Sequence, residues 1–525
     1  MRRLAGSVAV LLCLLAAGPA PAEMALRVGN ASEPETLDPH AAMGVPDGRI
    51  TAELCEGLVT NAADGSEIPG AAESWTISPD GRTYTFTLRA GARWSDGTPV
   101  TAEDWVWSWR RALLPATRPV FPDLLFAVEN APAIANGEAP PESLGVRAVD
   151  PRTFEVRLSR PDPEFLSGLD NRGAYPLSRA AVERHGADWV RPGNHVCNGP
   201  FMLAEYLPQS HVKVVRNPHY WDAANVRLDA VYFIPTEDIQ TEFKRFRAGE
   251  LDVTYLIPPN QIEMARETMP ESVRITPYVA TYYYYPNFQN EPWRGSVDLR
   301  RALVLALDRE AIVRSITKGG QQPAFTLVPT AIPGYPAPVP EYARWTQAER
   351  VAEAKRLVAK AGYGPGGKPL AFEMLFNTND THRQVAVAMA AMWQQTLGAK
   401  VTLHNTEFRV LLNRMAERDF PDLVRRTWVW DRPMKHLENF RDPERRSGTG
   451  FEDPEVRRIL DEAETERDPE RYNALLAKAE ARLIDLAAFI PVYHDTSRRL
   501  VAPHVKGWVD NPGDTHLLRY VWIEK

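Results

Sequence analysis

The chain has 525 residues, and its 61 Lys and Arg against 68 Asp and Glu give a formal net charge of -7. Hydrophobic residues make up 44% and charged residues 25%, which is typical of globular proteins. At roughly 100–200 residues per domain, the length predicts about two to four domains. The acidic balance gives no electrostatic reason to expect nucleic acid as a partner.

The first segment is typical of a secretory signal. Arg2 and Arg3 precede an apolar run over residues 5–17, and a Gly-Pro-Ala-Pro-Ala stretch then ends at Ala22. The run is shorter than the about 20 apolar residues that a membrane-spanning helix needs. We therefore predict cleavage after Ala22 and export out of the cytoplasm. A form anchored by a lipid on Cys13 is the alternative.

Removal of the signal would leave two cysteines, Cys55 and Cys197, in a compartment where disulfides persist. One bridge between them is the economical hypothesis. Two separate buried thiols are the alternative, because cysteine is often buried and a bridge requires Cα atoms within about 7 Å. Labelling of two thiols without reductant, read by intact mass, would exclude the bridge.

The first predicted elements are a short strand at residues 26–29 and a helix over 50–58, whose apolar residues recur at helical spacing. Over residues 84–88, hydrophobic side chains alternate with threonine, which is typical of a half-buried hairpin strand. Thr101 with acidic residues after it predicts a helix N-terminus.

The run over residues 229–235 predicts a buried strand that leads into a helix through Thr236 and Glu237. After Tyr278, helices alternate with short strands, the pattern of a mixed α/β domain. These helices are expected at 297–317, 347–361, 380–397, 454–463 and 470–486. The segments 500–508 and 519–523 are strand-like.

Motifs for catalysis, nucleotides or metals are weak. The stretch GYGPGGKP at residues 362–369 fits G-x-x-x-x-G-K, but it has Pro369 where a phosphate loop needs Ser or Thr, and it follows a helix. It predicts a helix C-cap and a tight turn. The 11 histidines form no H-x-x-x-H pair and no C-x-x-C occurs, so no metal or cofactor is expected. Without G-x-S-x-G, a secreted hydrolase is the weaker alternative.

The densest aromatic run is Tyr282 to Tyr285. In a strand, alternate tyrosines face opposite sides, so one pair can pack while the other lines a cleft. A core strand explains either pair equally well. The run lies between two regions of different composition, where ligand sites are common.

Arg425, Trp428, Trp430 and Asp431 lie in DLVRRTWVWDRP. As a strand, this segment places the two tryptophans on one face, and Val429 and Asp431 on the other. Asp431 at the strand end could bind a ligand ammonium. A turn residue that caps the next segment is the alternative interpretation.

The block over residues 72–104, AESWTISPDGRTYTFTLRAGARWSDGTPVTAED, resembles the signature of the family-5 periplasmic solute-binding proteins, the oligopeptide and dipeptide receptors of ABC importers. Similarity to the oligopeptide-binding branch is strongest. The further matching stretches are SEPETLDPH at 32–40, NGPF at 198–201, NPHYWD at 217–222, FRAGELDVTY at 246–255, TYYYYPN at 281–287, LRRALVLALDREAI at 299–312, AKRLVAKAGY at 354–363 and IPVYHDTSRRLV at 490–501.

The resemblance implies an α/β, two-lobed periplasmic binding protein of the class C type, with a hinge and an extra domain on the first lobe. The expected hinge crossovers lie near 278–281 and 496–500. The expected divisions are a signal peptide at 1–22, lobe I at 23–54, 180–279 and 500–525, the extra domain at 55–179, and lobe II at 280–499.

The resemblance also implies a function: a monomeric, non-catalytic receptor that binds a short peptide between its lobes and delivers it to an inner-membrane ABC permease. In the family, a carboxylate after a tryptophan-bearing strand takes the peptide α-amino group. Asp431 matches that carboxylate, Trp428 matches the tryptophan, and Arg425 lies just upstream. The other residues expected in the cleft are Tyr278, Tyr283, His382 and Val45. Replacement of Asp431 by Asn is expected to weaken binding by about two or more orders of magnitude.

Several positions depart from the oligopeptide branch and leave the length and class of the ligand open. Met43 replaces an acidic residue, Thr317 replaces a lysine, and a tyrosine expected near residues 120–121 is missing. Ala280 and Val429 occupy two positions that form a disulfide in relatives. The stretch RPMKHLEN after Asp431 is also unusual. A non-peptide solute, such as an opine, a metal complex, haem or a sugar, is therefore the alternative ligand.

Overall fold

The computed structural model describes residues 23–364, 366–443 and 448–524. The expected signal peptide at 1–22 and Cys13 lie outside this range. The strands are β1 (Ala25–Gly29), β2 (Val59–Asn61), β3 (Glu67–Pro69), β4 (Ala72–Ile77), β5 (Thr83–Leu88), β6 (Val146–Asp150), β7 (Thr153–Arg157), β8 (Phe201–Leu207), β9 (His211–Arg216), β10 (Ala230–Ile234), β11 (Val273–Pro286), β12 (Gln322–Pro323), β13 (Ala371–Asn377), β14 (Lys400–Thr406), β15 (Leu423–Val429), β16 (Ile490–Leu500), β17 (Val505–Lys506) and β18 (Trp522–Ile523).

The helices are α1 (Val45–Leu54), α2 (Ala102–Leu113), α3 (Ala131–Ala135), α4 (Arg179–His185), α5 (Ile239–Arg247), α6 (Ile262–Thr268), α7 (Val297–Leu305), α8 (Arg309–Ile312), α9 (Gln347–Lys360), α10 (Asp380–Leu397), α11 (Phe408–Glu417), α12 (Pro433–Leu437), α13 (Pro454–Thr465) and α14 (Pro469–Asp485). Within the described residues, no helix combines the length and the apolar character needed to cross a membrane.

Three larger sheets organise the molecule around two hydrophobic cores. A four-stranded sheet has the order β1-β10-β9-β8, and a second four-stranded sheet has the order β4-β5-β7-β6. Both contribute side chains to the first core. A six-stranded sheet, β12-β16-β11-β15-β13-β14, carries helices and builds the second core. This mixture of sheets and packed helices confirms the α/β prediction.

The first core confirms the predicted hairpin and the helix after it. The alternation in β5 buries Tyr84, Phe86 and Leu88, and β4 pairs with it in antiparallel register. Thr101 and Asp104 form a capping box at the start of α2. Trp109 of α2 is fully buried and lies edge-on to an aromatic ring of β7 at a centroid distance of 5.2 Å.

Strands β11 and β16 connect the two cores. They pair in antiparallel register, with a register break between Pro277 and Thr281. At one end of this pair Leu500 belongs to the first core, whereas Tyr282 and Tyr493 at the other end belong to the second. The expected crossovers at 278–281 and 496–500 fall within these two strands.

Two predicted helices end or break earlier than the sequence pattern suggests. The helix predicted over 50–58 is α1, which stops at Leu54. Beyond that point the chain packs closely against a neighbouring segment. A Cβ added to Gly57 would lie only 2.4 Å from the Leu169 carbonyl oxygen. The helix predicted over 297–317 is interrupted after Leu305: Asp308 then caps α8 by accepting the Ala311 N–H at 2.9 Å, and a π-helix continues from Val313 to Thr317.

Other local predictions also need correction. Helix α5 begins after Asp238, rather than through Thr236 and Glu237, because the Asp238 carboxylate accepts the first free backbone N–H groups. The strand-like segment 500–508 forms only the end of β16 and β17. In β11, both tyrosine pairs of the run 282–285 are buried, at 0–1% exposure, so neither pair lines an open surface.

Candidate functional site

A cavity of about 440 Å³ lies between the two cores. One wall consists of α1 and loop residues around 167–175 and 508–518, which pack on the first core. The other wall is formed by Tyr278, Val279 and the chain that leaves β15. This location between two separately packed bodies is typical of ligand sites.

Asp431 lines this cavity and is open to its solvent. Its carboxylate accepts no side-chain hydrogen bond and forms no ion pair with any described residue. Desolvation by the surrounding walls raises the pKa of Asp431, and the neighbouring Arg432 guanidinium opposes this shift. Asp431 is therefore an acceptor held at the cavity without a protein partner.

Two hydrogen bonds made by the backbone of the preceding residue, Trp430, fix the chain next to Asp431. The Trp430 N–H donates to the Val279 carbonyl at 3.3 Å, and the Trp430 carbonyl lies 2.8 Å from His436 Nε2. Burial lowers the pKa of His436 to about 4, so this ring is neutral at pH 7 and can donate from Nε2. Pro433 then starts α12. Asp431 is thus held at a strand-to-helix junction.

Arg425 lies in β15, six residues before Asp431, which follows the end of that strand at Val429. Its Nη1 donates to Asn377 at 3.1 Å and its Nη2 to Thr427 at 2.5 Å, while its Nε has no hydrogen-bond partner among the described residues. The guanidinium lies 4.9 Å from the Tyr282 ring centre. Arg425 is therefore a buried cation with neutral hydrogen-bond partners.

His382 joins Arg425 at the same tyrosine. Its ring centre lies 5.4 Å from that of Tyr282, and its Nδ1 has no hydrogen-bond partner among the described residues. Burial and the Arg425 charge lower the pKa of His382 to about 3, which keeps the imidazole neutral. These two residues form a basic cluster that is outside the residues lining the cavity.

Trp428 and Tyr283 occupy the opposite face of the same pair of strands. The Trp428 ring lies 4.5 Å from the Arg426 guanidinium, and Tyr283 packs against Phe489 in the second core. Neither lines the cavity, although both were expected in the cleft. The tryptophan that does line it is Trp430.

Val45 and Tyr278 both line the cavity. Val45 begins α1 and is 53% exposed, next to Met43, which is 63% exposed. Burial raises the pKa of the Tyr278 hydroxyl, so it stays protonated and can donate a hydrogen bond at neutral pH. The cavity thus has an apolar rim on the side of α1.

The departures from the oligopeptide branch fall at different places. Thr317 is buried, and its hydroxyl donates to the Val313 carbonyl at 3.3 Å, away from the cavity. Ala280 and Val429 are direct cross-strand partners of β11 and β15. Two cysteines at these positions would be adjacent, which matches the bridge that the resemblance places there.

Several cavity residues were not identified from the sequence. Arg49 and Glu53 follow Val45 at intervals of four residues on α1, so helical spacing was a usable signal for them. Asp170 and Arg432 also line the cavity, and no local pattern marks them. Burial, together with repulsion from Asp431 and Glu67, raises the pKa of Asp170 to about 7.

Cys55 and Cys197 form a disulfide in the structure, with sulfur atoms 2.05 Å apart and Cα atoms 5.2 Å apart. Cys55 follows the last residue of α1, and both cysteines are buried in the first core. The bridge therefore attaches the C-terminal end of α1 to a segment 142 residues away.

Comparisons with known proteins identify the family. The model of the bacterial extracellular solute-binding proteins, family 5 Middle, matches residues 67–447. The periplasmic oligopeptide-binding protein OppA of Salmonella typhimurium is 36% identical over 502 residues, which cover 94% of this chain and 92% of that protein.

Solved structures agree with this assignment. The unliganded open form of the periplasmic murein tripeptide-binding protein MppA superposes with a TM-score of 0.83 at 35% identity, covering 96% of this chain and 98% of that one. Haemophilus influenzae OppA in complex with RPPGFSPFR gives a TM-score of 0.82 at 34% identity, covering 96% and 100%. The chain therefore belongs to the bacterial extracellular solute-binding proteins, family 5, and has their two-lobed α/β fold.

Proposed function

We propose that this protein is the periplasmic receptor of an ABC importer, that it binds short peptides in the cavity between its lobes, and that it delivers them to an inner-membrane permease. The observation that carries the proposal is the unpaired Asp431 carboxylate on the cavity wall. An α-ammonium taken from water into a closing cleft must be paired, and a positioned carboxylate does this while fixing the register of the peptide.

The strand before Asp431 supports a peptide with a free carboxyl end. Arg425 lies in β15, six residues before Asp431, and its protein partners are neutral oxygen atoms. At about 3.3 Å per extended residue, six residues span about 20 Å. An extended peptide of about six residues, bound with its ammonium at Asp431, would direct its carboxylate toward Arg425 and His382.

Related proteins bear names consistent with this proposal. The Salmonella typhimurium relative is named as a periplasmic oligopeptide-binding protein, and the Haemophilus influenzae structure contains a peptide. We extend to this chain cleavage after Ala22, a periplasmic location, a monomeric state, no nucleic-acid partner and no enzymatic activity. We also retain the proposed lobe and extra-domain boundaries, because the three sheets fall largely within them.

Mass spectrometry of the small molecules released by denaturing protein purified from a periplasm tests the proposal. Mixed short peptides are expected. Calorimetric titration with Ala-Ala-Ala and with its N-acetylated form then tests the ammonium contact, and the acetylated peptide is expected to bind at least about a hundredfold more weakly. A single released non-peptide species, with no binding of either tripeptide, would replace the peptide with another solute.

A further inference from the structure

The cavity beside Asp431 contains more carboxylate than one α-ammonium requires. Asp170 lines the same cavity, and Glu67 lies close enough for its charge to raise the pKa of Asp170. Asp431 in turn raises the pKa of Glu67. Three segments that are distant in sequence thus bring carboxyl groups close together, and two of these groups, Asp431 and Asp170, line the cavity.

Arg49 and Arg172 also line the cavity, but Arg432 is the cation whose charge acts on all three of these carboxyl groups. Arg432 influences the pKa of Asp431, Asp170 and Glu67, and also that of two further carboxyl groups, Asp162 and Glu164. It is only 7% exposed, yet its Nε and Nη2 have no hydrogen-bond partner among the described residues. Among the described residues, the Arg432 guanidinium therefore acts on several carboxyl groups and forms no close ion pair with any of them, although Arg160 and Lys435 also act on Asp162.

Glu53 places a further buried carboxyl group without a full set of partners on the wall of this cavity. It lines the cavity from α1 and is only 2% exposed. Its Oε1 accepts the Leu518 N–H at 2.9 Å, whereas its Oε2 has no partner among the described residues. Burial raises the pKa of Glu53 to about 8 against the opposing charges of Arg519 and Arg49, so the carboxyl group is mostly protonated at pH 7. A cation that arrived here would favour the ionised carboxylate and could pair with its free oxygen.

We propose that Asp170, supported by Glu67 and Glu53, forms a subsite for a second cationic group, so that the preferred ligands are peptides whose first residue is lysine, arginine or ornithine. The α-ammonium contacts Asp431, and the side-chain cation of the same residue contacts Asp170. This inference rests on the proposed peptide-binding function. It adds a preference at the first residue that Asp431 alone would not produce.

Calorimetric titration of Lys-Ala-Ala and norleucyl-Ala-Ala tests the subsite, because the two peptides match in length and differ chiefly in the side-chain charge. In the wild type, Lys-Ala-Ala is expected to bind about tenfold more tightly, as for a charge-assisted hydrogen bond. In Asp170→Asn this ratio is expected to fall to about threefold or less. The control Asp188→Asn removes an exposed carboxylate outside the cavity and should keep the wild-type ratio.

Proton release gives a second measurement. Asp431, Glu67, Arg432, Asn61 and Tyr175 lie near Asp170, and burial with the two neighbouring carboxylates raises its pKa to about 7 in the free protein. A bound cation lowers that pKa, so Lys-Ala-Ala should release more protons than norleucyl-Ala-Ala at pH 7. Titrations in two buffers of different ionisation enthalpy measure this difference. Glu67→Gln, at an exposed position, is a second variant and should reduce the lysine preference by a smaller factor.

The outcomes separate this inference from the proposed function. Equal, tight binding of both tripeptides to the wild type would overturn the subsite and leave the peptide receptor intact. A lysine preference that persists in Asp170→Asn, or tighter binding of Ala-Lys-Ala than of Lys-Ala-Ala, would overturn the assignment to Asp170 and the first residue. Binding of none of these peptides would overturn both proposals.

Discussion

The two ends of the segment from Arg425, in β15, to Asp431, just beyond it, differ in charge and in how the protein satisfies it. At the Asp431 end, carboxyl groups from several segments lie at or beside a cavity, and the Arg432 guanidinium acts on all of them. At the Arg425 end, a single buried cation is held by neutral oxygens and aromatic rings. The strand therefore has an electrostatic polarity that matches the ammonium-to-carboxylate direction of a peptide.

The two ends also differ in whether one core or both cores form them. The Arg425 cluster is built within the six-stranded sheet and α10, so its geometry is set inside one core. The Asp431 end is completed only where loops of the first core face the end of β15. Closure of the lobes should change the Asp431 end more than the Arg425 end, because only the former has groups on both sides of the cleft.

The largest expected effect comes from removing the charge at the Asp431 end. Asp431→Asn is nearly isosteric but leaves a ligand ammonium without its anion. Breaking such a buried pair costs about 3–5 kcal/mol, which corresponds to a loss of at least about a hundredfold in affinity for Ala-Ala-Ala. Calorimetry measures the loss, and thermal unfolding should be almost unchanged because Asp431 contacts no protein partner. Wild-type affinity in this variant would refute the role of Asp431.

Loss of the Cys55–Cys197 bridge should lower the free energy of unfolding. The bridge closes a long loop and anchors α1, which carries Glu53 to the cavity. Removal of a disulfide typically costs about 2–4 kcal/mol of folding free energy. The double variant Cys55→Ala, Cys197→Ala should therefore unfold at a lower denaturant concentration. Labelling of two thiols in unreduced native protein would contradict the bridge itself.

Arg425→Gln tests the other end of the segment from Arg425 to Asp431. The variant keeps hydrogen-bond donors but removes the charge that would attract a peptide carboxylate. We expect about tenfold weaker binding of hexa-alanine, whose extended length of about 20 Å can reach from Asp431 to Arg425, as for the loss of one charge-assisted hydrogen bond. The C-terminally amidated hexapeptide is the control, since it lacks the carboxylate and its affinity should change much less. An equal loss for both peptides would assign Arg425 a structural role.

Local patterns predicted the parts of the fold that depend on neighbours in sequence. The alternation in β5 and the polar cap at Thr101 gave the correct elements, because strand periodicity and backbone capping act over a few residues. The strand before Asp431 was found in the same way. Helix ends were less accurate where tertiary contacts decide them, as at Gly57, whose close approach to the Leu169 carbonyl is not visible in the sequence.

The site was only partly predictable for the same reason. Val45, Tyr278 and Asp431 line the cavity, as the family resemblance implied. Asp170 and Arg432 join them only because the chain brings loop 167–175 to the end of β15. Trp428 and Tyr283 alternate onto the opposite face of their strands, so sequence proximity to the site did not place them in the cavity.

The smallest expected effect is the pH dependence of binding for a peptide with neutral side chains. Desolvation raises the pKa of Asp431, and a bound ammonium would stabilise its ionised form and lower that pKa. Protons therefore compete with the ligand: affinity is complete above the pKa of the free protein and falls as the pH drops through it. The loss cannot exceed about tenfold per pH unit for one proton. Titration of Ala-Ala-Ala at decreasing pH should show this loss in the wild type but a much flatter profile in Asp431→Asn, and an equally steep profile in both would place the controlling proton on another group.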